Sequence, residues 1–149
     1  LNFPADYPVE AESDSLFFEI LGIKPLKLLR GKDDYLAIFK TQKQIEEMQP
    51  KFSLLKKVDA RGLVISAPGD DVDFVSRCFY PEAGIEEDPV TGSAHTMLTP
   101  YWATQFNKNE LDAHQLSKRG GKLNCRLANE RVLISGNSVI YFEGTISIV

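Results

Sequence analysis

The chain has 149 residues, a formal net charge of −4 and 43% hydrophobic residues, values typical of a single soluble globular domain over residues 1–149. The acidic balance and the scattered Lys and Arg residues argue against nucleic acid or an anionic membrane surface as a partner. The cysteines, Cys78 and Cys125, lie far apart in sequence. We expect reduced thiols in a cytoplasmic protein, with a lone disulfide as the alternative.

Residues 1–12 open the chain without the basic and apolar segments of a signal peptide, and no apolar run reaches the roughly 20 residues that span a bilayer. We therefore expect neither export nor membrane insertion. Pro4 and Pro8 favour an extended conformation for this opening. Ser13 is a candidate N-cap for a short helix over Asp14–Leu21.

Alternating strand and helix signals follow. The segment Val72–Tyr80 carries large side chains at both odd and even positions, so we expect a strand covered on both faces. The turn Gly31–Asp34 has hairpin chemistry. The predicted elements of this part are strands Leu26–Arg30 and Tyr35–Phe39, helices Thr41–Gln49 and Phe52–Val58, and strands Gly62–Ala67 and Val72–Tyr80.

The C-terminal third is predicted to be all strand. Its segments are separated by pairs that favour tight turns, at Gly120-Gly121, Asn129-Glu130 and Gly136-Asn137. The predicted strands are Glu110–Ser117, Lys122–Leu127, Arg131–Ser135 and Val139–Val149. Together with the helices, they predict an α+β domain in which antiparallel or mixed strands surround one apolar helix.

That helix is predicted from the stretch EEDPVTGSAHTMLTPYWATQFN, in which no Asp, Glu, Lys or Arg occurs between Pro89 and Asn107. Apolar residues recur at helical spacing, and the intervening positions are uncharged. The pattern predicts a helix over roughly Gly92–Phe106, buried nearly all round, with Tyr101 or Trp102 in the core. An internal proline should bend it.

The start of this helix has the chemistry of an anion site. Thr91 or Ser93 can cap it, and Gly92 allows a ligand to approach backbone N–H groups that have no partner within the helix. For Asp88, two interpretations stay open. It either stabilises the helix N-terminus through the macrodipole or acts as a polar group in a cleft.

Other kinds of site are poorly supported. His95 and His114 with the two cysteines lack the spacing of a structural zinc site, so no metal is expected. Ser93 and His95 lie two residues apart on a helix and point in different directions, and no G-x-S-x-G elbow is present, which disfavours Ser–His catalysis. No Gly-Lys-Ser/Thr follows a glycine-rich loop, so a P-loop is absent.

The strings EEDPVTGSAH and PYWA, with DFVSRCFYP before them and QLSKRGGKLNCRL after them, resemble the PhzF-like family of phenazine-biosynthesis proteins. The opening LNFPADYP resembles the start of that family's C-terminal half. The resemblance implies the diaminopimelate-epimerase fold, in which each of two halves is a strongly curved, barrel-like sheet around one central helix, with a ligand cleft between the halves. This chain resembles the C-terminal half.

The resemblance also implies a function, a proton shift (isomerisation or epimerisation) within a small carboxylate-bearing substrate, without metal or organic cofactor. Asp88 and Ser93 match polar active-site positions, and the backbone N–H groups of Gly92 and Ser93 match those that hold the substrate carboxylate. His95 resembles a family position, but we expect no chemical role for it. Cys78 and Cys125 are expected to be core residues rather than the thiol pair of the related epimerases, because neither is in the helix-cap turn.

The sequence departs from the family at one essential point. The resemblance places the proton-transferring glutamate in a Ser-Glu-Thr-like segment of the N-terminal half, and no Ser-Glu-Thr occurs here. A proton carrier must lie within hydrogen-bond reach of its substrate, so we expect this chain alone to be inactive. It would need a missing half, or associate with another copy as a dimer or larger homo-oligomer. The alternative is a non-catalytic binding or assembly domain with an anion site at the helix start.

Overall fold

The computed structural model describes residues 1–12 and 15–147. Within them the chain forms a nine-stranded sheet and four α-helices. The helices are α1 (Ser15–Leu21), α2 (Gln42–Glu47), α3 (Phe52–Leu55) and α4 (Gly92–Phe106). The strands are β1 (Asn2–Pro4), β2 (Val9–Glu10), β3 (Lys27–Arg30), β4 (Asp34–Ile38), β5 (Gly62–Pro68), β6 (Phe74–Phe79), β7 (Glu110–Gln115), β8 (Gly121–Ala128) and β9 (Arg131–Ser135).

The sheet is mixed and curled. Its strand order is β1-β9-β8-β7-β6-β5-β4-β3-β2, so the first ten residues supply both edges. Because residues 5–8 alone connect those edges, the sheet has to curl until they approach each other. The pairs β4–β5 and β6–β7 are parallel and the remaining neighbours are antiparallel. The prediction of an α+β domain with a strongly curved mixed sheet is confirmed.

Each face of the sheet packs on a different set of helices. One buried apolar cluster joins α4 to residues of β3–β9, and a second joins α1, α2 and α3 to the opposite face. Strand β6 is buried throughout, with Phe74 and Cys78 in the first cluster and Val75 and Phe79 in the second. The expectation that this strand is covered on both faces is confirmed.

The predicted helix over Gly92–Phe106 is present as α4. Trp102 is only 3% exposed, and its ring stacks between Phe74 and Phe106. The helix is less enclosed at its ends than expected, since Ser93 and the last turn face solvent. Pro100 lies inside α4. Proline has no backbone N–H to donate, and we attribute the intact helix at this point to the buried side chains around it.

Most other predicted elements exist with shorter bounds. Thr41 caps α2 through a capping box with Gln44 rather than lying within the helix, and the hairpins at residues 31–34 and Asn129-Glu130 form as expected. The opening segment contributes β1 and β2, which the prolines alone did not indicate. The proposed cap Ser13 lies outside the described residues.

The predicted last strand is wrong over residues 139–147. This segment, the C-terminal tail, has no strand partner, and Tyr141 is 99% exposed. The turn expected at Gly136-Asn137 therefore joins no hairpin. Alternating apolar residues favour a strand, but a strand also needs a neighbour for its N–H and C=O groups. Residues 148–149 lie outside the described part. None of the described helices has the length and apolar character needed to cross a membrane.

Candidate active site

The loop that leads into α4 is anchored to the sheet by a partly buried ion pair. Arg77 of β6 donates from Nε to Glu87 Oε1 at 2.6 Å and from Nη2 to Glu87 Oε2 at 3.0 Å. Its Nη1 donates to the carbonyls of Ile45 and Met48, so every guanidinium nitrogen has a partner. Within the acidic run, Glu87 therefore has a structural role that fixes the backbone just before Asp88.

The side chain of Gln115 holds the turn between Asp88 and Thr91. Its side chain is fully buried at the end of β7. Its Oε1 accepts from the Thr91 N–H at 2.8 Å, and its Nε2 donates to the Asp88 carbonyl at 2.7 Å and to Thr91 Oγ1 at 3.2 Å. The Asp88 N–H in turn donates to the Cys78 carbonyl at 2.9 Å. The strands β6 and β7 thus set the conformation of the helix entry.

The helix start is left without a side-chain cap. Thr91 occupies the N-cap position, but its hydroxyl donates to Asp88 Oδ2 and caps no backbone group. Thr91 is therefore at the N-cap position, one of the two expected, but the expected capping hydrogen bond from a side chain is missing. Since the first N–H groups of a helix have no intrahelical partner, those of Gly92 and Ser93 remain able to bind a ligand. The macrodipole favours an anion at this place.

His95 lies one turn into α4 and is fully buried. Its Nδ1 is 2.7 Å from the Thr91 carbonyl; because a carbonyl only accepts, Nδ1 carries the hydrogen and Nε2 does not. Burial lowers the pKa of His95 to about 4, so the ring is neutral near pH 7. The histidine packs against the Phe74 ring at 6.0 Å and positions the helix entry.

Basic side chains surround the helix start despite the acidic net charge. A cleft of about 980 Å³ opens beside Gly92, and Arg119 and Lys122 line it. At Ser93, Arg61 Nη2 donates to Oγ at 3.2 Å. A Cβ built at Gly92 meets only Leu1 Cδ1, at 3.7 Å, so a ligand has space to approach. The site can hold an anion through N–H groups, with positive charge nearby.

A family model described as phenazine biosynthesis-like protein matches residues 7–144. The chain belongs to this family. Its relatives include an uncharacterized isomerase of Pseudomonas aeruginosa, 44% identical over 146 residues, and one of Halalkalibacterium halodurans, 42% identical over 142 residues. These alignments cover 98% and 93% of this chain but 56% and 54% of the relatives, so the chain spans about half of their length.

A solved structure gives the same result. The PhzF-family phenazine biosynthesis protein of Enterococcus faecalis is 38% identical, with a TM-score of 0.91 over 99% of this chain and 57% of that protein. The predicted family resemblance is therefore confirmed, and both of these relatives carry the name isomerase. The described residues contain no group of three or more His, Cys, Asp or Glu side chains placed to hold a metal ion.

Both cysteines of this family member are core thiols. Burial raises the pKa of Cys78 to about 12 and that of Cys125 to about 11, so both are protonated at neutral pH and poor nucleophiles. Both are free and buried. Although Cys78 is distant from the helix cap in sequence, its thiol lies within hydrogen-bond reach of the Thr91 side chain.

The fold brings the sequence-predicted residues Asp88, Gly92 and Ser93 to one place, the entry of α4. Sequence reasoning missed two others that contact them, Arg61 and Gln115. Arg61 directly precedes β5 and Gln115 is the last residue of β7. The available signal in the sequence was that Gln115 falls on the inward-facing side of the predicted strand. Their contacts with the turn join residues 24 to 32 positions apart.

Proposed function

We propose that this chain supplies the carboxylate-binding side of a PhzF-like isomerase site. The N–H groups of Gly92 and Ser93 bind the substrate carboxylate and the Ser93 hydroxyl donates to it, while Asp88 faces the reacting part of the substrate. The observation that carries this proposal is the start of α4, where no side chain caps the backbone and a cleft with basic residues gives access.

The chemistry of a proton shift explains why such a site is useful. A proton leaves one carbon of the substrate and a proton is returned to another, so negative charge develops on the substrate between the two steps. Fixed N–H donors hold the carboxylate and stabilise that charge without reorganising. No metal or organic cofactor is required for this reaction.

The proton carrier is the part that this chain does not supply under the proposal. Asp88 Oδ2 already accepts from the Thr91 hydroxyl, an arrangement suited to orienting a substrate. The carrier would be a glutamate in the part of the longer relatives that this chain does not match. The chain would then be the C-terminal half of a diaminopimelate-epimerase-like fold, with α4 as its central helix and the ligand between two halves.

The exposed apolar residues of the C-terminal tail are an argument that this chain has a partner. Val139, Ile140, Tyr141 and Phe142 are all more than four-fifths exposed, a density of apolar surface that usually marks an interaction site. The partner would be the remaining half of the longer relatives or, for the isolated chain, a second copy in a homo-oligomer. This observation also favours the second candidate function, a non-catalytic assembly domain that uses the same surface.

Exchange of deuterium from D₂O into but-3-enoate, a small carboxylate with exchangeable allylic hydrogens, separates the two functions. We expect no exchange with the chain alone and exchange after adding the unmatched part of the Pseudomonas aeruginosa relative as a separate polypeptide. Asp88→Asn in this chain should then reduce it. Association of the two polypeptides without any exchange would favour the assembly domain. Rapid exchange by the chain alone, abolished by Asp88→Asn, would show that the proton carrier lies here.

A further inference from the structure

Arg61 is held beside the helix start by several contacts, although its side chain is 43% exposed. It precedes β5, and its guanidinium pairs in two places with Asp34 of the neighbouring strand, from Nε to Oδ1 at 3.0 Å and from Nη2 to Oδ2. Asp34 is 3% exposed, so the pair is shielded from solvent on that side. The Tyr80 ring lies 5.3 Å from the guanidinium carbon. Two bonds and a ring face thus fix the plane of the guanidinium.

The remaining hydrogen of Arg61 Nη2 is donated to Ser93 Oγ at 3.2 Å. A guanidinium only donates, so the serine oxygen is the acceptor in this bond. The serine hydrogen therefore stays available for another acceptor. The Thr96 hydroxyl donates to the Ser93 carbonyl at 2.7 Å and does not occupy Ser93 Oγ.

We propose that Arg61 is a positioning residue that turns the Ser93 hydroxyl into a dedicated hydrogen-bond donor, so that the site accepts carboxylates and rejects ligands that would donate to serine. This inference rests on the proposed function, because it concerns the same helix start. Arg61 acts through Ser93, and Asp34 acts through Arg61. Both lie far from α4 in sequence, so neither is part of the helix-start motif.

The chemical consequence is a preference in ligand type. An unrestrained serine hydroxyl accepts as readily as it donates, so it tolerates an ammonium or amide N–H beside the helix start. With Arg61 in place, a donating ligand would have only the second lone pair of the serine oxygen left to it and would approach a fixed positive charge. A carboxylate instead receives the Ser93 hydrogen together with the two backbone N–H groups.

A double-mutant cycle on the full chain tests the inference, with acetate as the probe and the amide signals of Gly92 and Ser93 as the readout. We expect Ser93→Ala and Arg61→Gln each to raise the acetate Kd roughly tenfold, the effect of losing one hydrogen bond to a charged group. In the Ser93→Ala background, Arg61→Gln should change the Kd less than about twofold. Equal effects in both backgrounds would overturn the inference, because Arg61 would then act by charge alone.

Arg61→Lys is the second variant, since Arg61→Gln leaves the buried Asp34 carboxylate without its charged partner and can unfold the chain. Lysine keeps the charge but has no planar fork to bond Asp34 and Ser93 together. We expect it to weaken acetate binding nearly as much as Arg61→Gln, and retention of the original Kd would contradict positioning. If acetate fails to shift the two amides of the unmodified chain, the proposed function fails together with this inference. If acetate binds but the effects of Ser93→Ala and Arg61→Gln on its Kd are additive, the role of Arg61 is overturned and the proposed function is not.

Discussion

At its C-terminal end α4 buries an aromatic stack, whereas at its N-terminal end it meets hydrogen-bonded polar groups. Trp102 lies between Phe74 and Phe106, and its Nε1 donates to Ser66 Oγ at 2.9 Å. At the other end, Gln115 and Thr91 use their side chains on the turn and leave the first N–H groups of the helix free. One end of the helix thus packs in the core, and the other leaves backbone donors without a side-chain cap.

The largest effect on stability is expected at the aromatic end. Trp102→Ala should lower the free energy of unfolding by about 3–5 kcal/mol, because it removes a buried ring and leaves a cavity. Trp102→Phe, which keeps a ring in the stack but loses the bond to Ser66 and part of the buried ring volume, should cost less, about 1–2 kcal/mol. Urea unfolding measures both. A cost below about 1 kcal/mol for the alanine variant would mean that this end of α4 is not the main anchor.

The polar end should make stability depend on pH. His95 has its pKa lowered by burial from 6.5 to about 4, so the unfolded chain takes up a proton in this range before the folded protein does. The histidine's contribution is fully present above pH 6.5 and declines as the pH falls to about 4, by about 3 kcal/mol in total.

The matched comparison for this prediction is a variant that lacks this histidine. The unfolding free energies at pH 7 and pH 4 should differ less in His95→Gln than in the unmodified chain, by about that amount. Carboxylates that titrate in the same range cancel in the comparison. The prediction is wrong if His95→Gln keeps the full pH dependence.

A smaller effect is expected at Gln115. Gln115→Met keeps the volume but removes the partners of the Thr91 N–H and the Asp88 carbonyl, at a cost of about 2 kcal/mol. It should also weaken acetate binding, because the turn before α4 loses its anchor. The control variant Gln105→Met lies at an exposed position of α4 and should change the free energy of unfolding by less than about 0.5 kcal/mol. Equal effects from the two variants would contradict the role of Gln115.

The two ends of α4 also differ in how far the sequence predicts them. The helix itself and Trp102 in its core follow from local periodicity, since apolar spacing repeats every turn. The network at its start does not, because Arg61 and Gln115 reach it only after β5 and β7 are paired in the sheet. Local pattern likewise suggested a last strand at residues 139–147, which lacks a neighbour in this chain.

Gly92 offers the most direct test of the open donors, because one substitution removes a donor and leaves the helix intact. Thr91 already has the extended backbone that precedes a proline, with φ −111° and ψ 105°. Proline is favoured at the first helical position, and the space beside Gly92 is open. Gly92→Pro therefore deletes one N–H, whereas Gly92→Ala adds a methyl group and keeps it.

The decisive measurement is the acetate Kd of these two variants by NMR, with sulfate as a competitor and far-UV circular dichroism to verify that α4 is retained. If the free N–H groups at the start of α4 bind the carboxylate, Gly92→Pro raises the Kd about tenfold or more and Gly92→Ala changes it less than about threefold. Sulfate should displace acetate from the unmodified chain. An unchanged Kd in folded Gly92→Pro, or acetate shifts confined to amides away from Gly92 and Ser93, would contradict the account.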